Sequence, residues 1–159
     1  MNLKGLLAGA VTALLCMLPL HNTALARNMQ QAGRTDCGVL YVDMDEAAAV
    51  KKDGALYLAV STEEVYTDKE FLASLRQGEG LEGVTSAVTL YLFDNRGQNY
   101  LIAACFLADK AGNVCADLGG AALTPVGRGD KALINAYTMS LKTLEQKTAW
   151  KRRPFRVTK

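Results

Sequence analysis

Two near-copies of one short segment constrain this chain more than any other feature. The first reads Asp94-Asn95-Arg96-Gly97-Gln98 and the second Asp109-Lys110-Ala111-Gly112-Asn113, and each separates two apolar runs. Aspartate opens a type I turn by accepting backbone N–H groups, and glycine three residues later closes a three-residue hairpin in the left-handed conformation. Gly97 and Gly112 are therefore predicted to have positive φ. Two such turns in succession specify an antiparallel meander of strands over 86–94, 98–108 and 113–118.

Pairing Asp94 with Gln98, and Asp109 with Asn113, assigns the two faces. One carries Val88, Leu90, Leu92, Ile102, Ala104, Phe106, Val114 and Ala116, and reads as the core. The other carries Ala87, Thr89, Tyr91, Phe93, Leu101, Ala103, Cys105, Leu107 and Cys115. It is too apolar to face water, since a sheet wet on one side alternates more cleanly. A helix of the same chain, or another protein, must cover it.

The remaining elements follow from caps and periodicity. Residues 37–42 and 55–60 read as strands, and Asp45 as the cap of a short helix over 46–52 ended by Asp53-Gly54. Thr67 and Glu70 stand at capping-box spacing, with Tyr66 and Phe71 as a hydrophobic staple, predicting a helix over about 68–77. Residues 119–129 read as a loop. Asp130 caps the longest helix, about 131–147, whose apolar stripe is Leu133, Ala136, Tyr137, Leu141 and Leu144. Trp150, Phe155 and Val157 suggest a last short edge strand. The fold class is α+β, an antiparallel sheet built around the 86–118 meander with two main helices.

The N-terminus has the three parts of an export signal: Lys4, an uncharged run from Gly5 to Leu20, and Ala24-Leu25-Ala26 as the cleavage pattern. The apolar run is short for a membrane anchor and is broken by Pro19. Leu15 before Cys16 argues against a lipoprotein. The expectation is a cleaved signal over 1–26, a flexible lead-in over 27–36, and one domain over 37–159 in the periplasm or outside the cell, with no membrane span after cleavage.

Cleavage would remove Lys4, leaving 17 of the 18 Lys and Arg against 16 Asp and Glu, a balance that argues against nucleic acid as a partner. It would also remove His21, the chain's one histidine. A hydrolytic triad or a cysteine protease site would then lack its base. Gly78-Glu79-Gly80-Leu81-Glu82-Gly83 matches a dinucleotide motif by letter only. It follows a helix and leads into a strand, the reverse of what phosphate binding needs. Asp43, Asp45 and Glu46 lack the glycine and further oxygens of a calcium loop. No metal and no cofactor is expected, and the chain does not read as an enzyme.

Cys37, Cys105 and Cys115 remain in what would be an oxidising compartment, where thiols within reach of each other pair. Cys105–Cys115 is the first candidate by its short loop, followed by Cys37 with either. The functional expectation is a non-catalytic periplasmic protein-binding module of the inhibitor, immunity or envelope-accessory type. Tyr91 and Phe93 would anchor another exported protein, and the tail residues Lys151, Arg152, Arg153 and Arg156 would steer it if acidic. A homodimer fits the same surface. The alternative is a carrier or sensor of a small apolar ligand, which requires a large apolar cavity.

Overall fold

The computed structural model describes residues 27–148; the expected signal, the edge strand near 150–157 and the basic tail lie outside them. The chain forms an antiparallel sheet with both helices on one face. Its strands are β1 (Met29–Arg34), β2 (Gly38–Asp43), β3 (Ala48–Lys52), β4 (Ala55–Tyr66), β5 (Val84–Phe93), β6 (Asn99–Asp109), β7 (Val114–Asp117) and β8 (Ala121–Pro125). The helices are α1 (Lys69–Leu75) and α2 (Lys131–Thr148). Strand order is β1-β2-β4-β5-β6-β7, with β3 paired to the first half of β4 and β8 to the first half of β6.

The α+β class and the meander stand as expected, and Gly97 and Gly112 have φ of 65° and 83°. The two turns are not identical, however. Asp109 bonds Asn113 across a three-residue loop, whereas Asp94 bonds Asn99, one residue beyond Gln98. In both loops an asparagine side chain donates to the aspartate Oδ2, at 2.7 Å from Asn99 and 2.9 Å from Asn113. The residue that closes the first loop is therefore Asn99, and that loop is one residue longer.

This shift moves Leu101 onto the face of Leu92 and places Tyr100 opposite Phe93. A bulge between Ile102 and Ala104 then restores the alternation, so Ala104 pairs with Leu90, and Cys105 and Leu107 keep their expected faces. The helices cover the face of Tyr91 and Phe93, not the Leu90–Leu92 face. Aromatic area explains the choice. Phe93 has 0% exposure and meets the rings of Tyr91, Tyr100 and Tyr137 at centroid distances of 5.9, 5.9 and 5.2 Å, and such rings are the largest apolar surfaces available to bury.

On α2, Ala132, Leu133, Ala136, Ser140 and Leu144 are buried against β1, β2 and β4. α1 begins one residue later than expected, with Asp68 rather than Thr67 as its cap. The Asp68 carboxylate accepts the Phe71 N–H at 2.7 Å, and the Tyr66–Phe71 staple survives at 4.9 Å.

Three segments differ from expectation. Residues 29–34 are an edge strand rather than a flexible lead-in, tied to β2 along their length. Residues 48–52 are strand β3, not helix. Asp53 and Gly54 both have positive φ, 50° and 81°, the two-residue hairpin that matches strand twist. That turn and pairing to β4 override the helix propensity of three alanines. Finally, residues 121–125 form β8 within the expected loop.

Candidate functional site

Residues from both β3 and β8 line one hollow on the face away from the helices. These strands are four steps apart across β4, β5 and β6, about 19 Å in a flat sheet at ~4.8 Å per step. Meeting over one hollow requires the sheet to curl. β6, between the two walls, carries a bulge at Ala103 and a second irregularity between Tyr100↔Thr124 and Ile102↔Ala121. Bulges bend the strand that carries them and increase its local twist.

The hollow has a volume of about 570 Å³, within the roughly 300–1,000 Å³ of small-molecule sites. Its floor is Leu90, Leu92, Leu101 and Ala103, and its walls are Val50 on one side and Ala121, Ala122 and Leu123 on the other. Among the described lining residues, polar side chains come only from Lys51, Lys52 and Asp53, at the β3–β4 turn. Such a lining can hold an apolar body and contact a polar end.

A smaller recess of about 270 Å³ lies where α2 begins, among Arg34, Thr35, Glu64, Tyr100 and Lys131. The Thr35 hydroxyl donates to the Glu64 carboxylate. Burial, with Asp130 adding to it, pushes the Tyr100 hydroxyl above its ordinary value, so it stays a neutral donor.

Neither expected interface anchor is freely exposed. Phe93 is core, and the half-buried Tyr91 packs against the cluster formed with α2. The two rings lie on the face the chain's own helix covers. Lys151, Arg152, Arg153 and Arg156 lie outside the described residues.

The three cysteines are unbridged and half-buried. β7 carries a bulge at Cys115, so Leu107 faces Ala116 and the Leu118 N–H donates to the Cys105 carbonyl at 2.8 Å. Cys105 therefore stands opposite Leu118, three residues beyond Cys115. That offset is about 10 Å along the strand, beyond the ~7 Å Cα separation a disulfide spans. Thr89 instead donates its hydroxyl to Cys105 Sγ at 3.4 Å. Burial raises the Cys37 thiol above its ordinary value, and the carboxylates of Glu64, Asp36 and Asp68 raise it further.

The acid cluster is a turn whose buried Asp43 pairs with the exposed Arg27. Asp43 accepts the Asp45 N–H at 2.9 Å and lies 3.8 Å from the Arg27 guanidinium. Among the described residues no three His, Cys, Asp or Glu converge to hold a metal, and no helix is long and apolar enough to cross a membrane. No protein-family model matches the chain, and no curated protein or solved structure is significantly similar to it.

Sequence reasoning misses the hollow because both walls, β3 and β8, become strands only by pairing with β4 and β6. The available signal was Asp53-Gly54 between Val50 and Leu56, a two-residue hairpin pattern that favours strand on either side.

Proposed function

We propose that this protein is an exported, non-catalytic carrier or sensor that holds a small apolar ligand in the hollow between β3 and β8. The observation that carries this reading is a recess of about 570 Å³ whose floor and walls are leucine, valine and alanine. Displacing poorly held water from such a lining favours apolar binding. The export signal supports work outside the cytoplasm.

The test is titration with a fluorescent naphthylamine probe. One saturable site is expected, weakened at least fivefold in Leu123→Glu. Leu123 is 58% exposed on the outer wall, so this change adds a charge to the hollow without touching the helix-packed core. Absence of saturable binding would reject the reading.

The protein-binding reading keeps one supporting observation. Val114, Leu118 and Leu123 are large apolar side chains exposed along the β7–β8 edge, and an edge of that kind invites pairing with another chain. Co-purification of a stoichiometric partner that Leu118→Lys releases would favour it.

A further inference from the structure

We infer, building on the apolar-ligand reading, that the ligand is a single-chain amphipathic carboxylate whose head group meets Lys52. Alternation along β3 puts Ala48, Val50 and Lys52 on one face. Ala48 and Val50 pack with the Leu90–Leu92 cluster, so that face is the one toward the hollow; Ala49 packs with the α2 cluster on the other side. Lys52 therefore projects on the hollow's side, at the mouth where β3 turns into β4.

Two properties set Lys52 apart from a solvated surface lysine. It is half-buried, whereas its neighbour Lys51 is exposed. No carboxylate of the described residues lies within ion-pair distance of it, although Asp53 is the next residue in the chain. An ammonium at the edge of an apolar recess, with no carboxylate in ion-pair reach, gains most from an anion whose tail occupies the recess. An apolar molecule without a charge leaves that ammonium as it is, and a cationic amphiphile is repelled.

Volume fixes the tail. At about 30 Å³ per non-hydrogen atom, the share of a water in the liquid, the hollow admits fewer than about 20 such atoms. That suits one chain of roughly 10–14 carbons with its head. Two chains of 16 carbons would need ~960 Å³ on the same scale, more than the hollow's about 570 Å³, which favours a single chain.

The experiment is displacement of the naphthylamine probe from the purified protein by dodecanoate, dodecanol, dodecyltrimethylammonium and a two-chain phosphatidic acid. Dodecanoate is expected to compete about tenfold better than dodecanol, since one charge-assisted contact at a half-buried site is of that order. The trimethylammonium amphiphile and the phosphatidic acid should compete worst. Lys52→Gln should abolish the preference for the acid while leaving dodecanol unchanged, and Lys110→Gln, at an exposed turn residue outside the hollow's lining, should preserve it. Raised salt should narrow the acid–alcohol gap in the wild type.

Equal competition by acid and alcohol, or an unchanged preference in Lys52→Gln, overturns this inference but leaves the apolar-ligand reading standing. Failure of the probe itself to bind overturns both. Preferential competition by phosphatidic acid overturns the single-chain assignment.

Discussion

The two turn glycines provide an internal control for how the meander meets the long helix. Both have positive φ, so an added Cβ strains either backbone by about 1–2 kcal/mol. Their surroundings differ. A Cβ at Gly112 meets nothing within 4 Å, whereas a Cβ at Gly97 would lie 2.6, 2.7 and 2.9 Å from Cε1, Cζ and Cδ1 of Tyr137. Those separations are impossible, so the Tyr137 ring must leave its place beside Phe93, and overpacking of this kind adds about 1–3 kcal/mol. Gly112→Ala is expected to cost about 1–2 kcal/mol and Gly97→Ala about 2–5 kcal/mol. The assay is urea unfolding of both single variants, of Tyr137→Ala, and of the Gly97→Ala/Tyr137→Ala double variant. With the ring gone, Gly97→Ala should cost no more than Gly112→Ala does in the wild type, the residue being the backbone strain alone. Equal costs for the two glycines with Tyr137 present would refute the packing of the first turn against α2.

Other outcomes follow from burial and charge. Phe93→Ala should cost about 3–5 kcal/mol by urea unfolding, as a core ring does; a cost below ~1 kcal/mol would restore Phe93 as a surface anchor. Burial pushes the Glu46 carboxyl above its ordinary value of 4.5, with Asp43 adding to the shift against the Ser61 hydrogen bond. The fold thus favours protonated Glu46: its contribution is full below pH 4.5 and is lost as pH rises through the raised value. Glu46→Gln should therefore unfold at higher urea than wild type at pH 7 and the two should converge below pH 4.5, whereas a pH-independent gap would contradict this. Because the thiolate is the nucleophile and the Cys37 thiol is held above 9.0, iodoacetamide should label Cys37 slowly at pH 7.5 and faster as pH rises past 9; rapid labelling at neutral pH would count against the acidic surroundings of this cysteine.

What was legible in the sequence was whatever local chemistry decides. Asp94, Gly97, Asp109 and Gly112 announce their turns because the aspartate oxygens and the glycine φ act within five residues. α2 was equally plain, since eighteen residues give a 3.6-residue period time to show. The register of β5 on β6 was not, because it depends on whether Gln98 or Asn99 closes the loop, and both side chains are amides. The segment 46–52 reads as helix for a related reason: Ala47-Ala48-Ala49 has no alternation to display, and only partnership with β4 makes residues 48–52 a strand. β8, Ala121–Pro125, is exposed throughout and gains its conformation from β6. The candidate site is built from these partner-dependent strands, which is why its elements were readable only after pairing.

The bulge at Ala103 connects that pairing to the site. On either side of it the register of β5 with β6 differs by one: Tyr91 pairs with Ile102 and Leu90 with Ala104. Deleting Ala103 would leave one continuous register, with Tyr100 still facing Phe93 and the residue after Ile102 still facing Leu90. No side chain would have to change face, so the helix-packed core and the meander should persist. The curvature should not, because the unpaired residue is what bends β6. With a straighter β6, β3 and β8 separate toward their flat-sheet distance and the hollow loses its second wall. The deletion variant is therefore expected to keep a cooperative unfolding transition while binding the naphthylamine probe at least tenfold more weakly. Retention of wild-type binding by a folded deletion variant would show that the curl has another source.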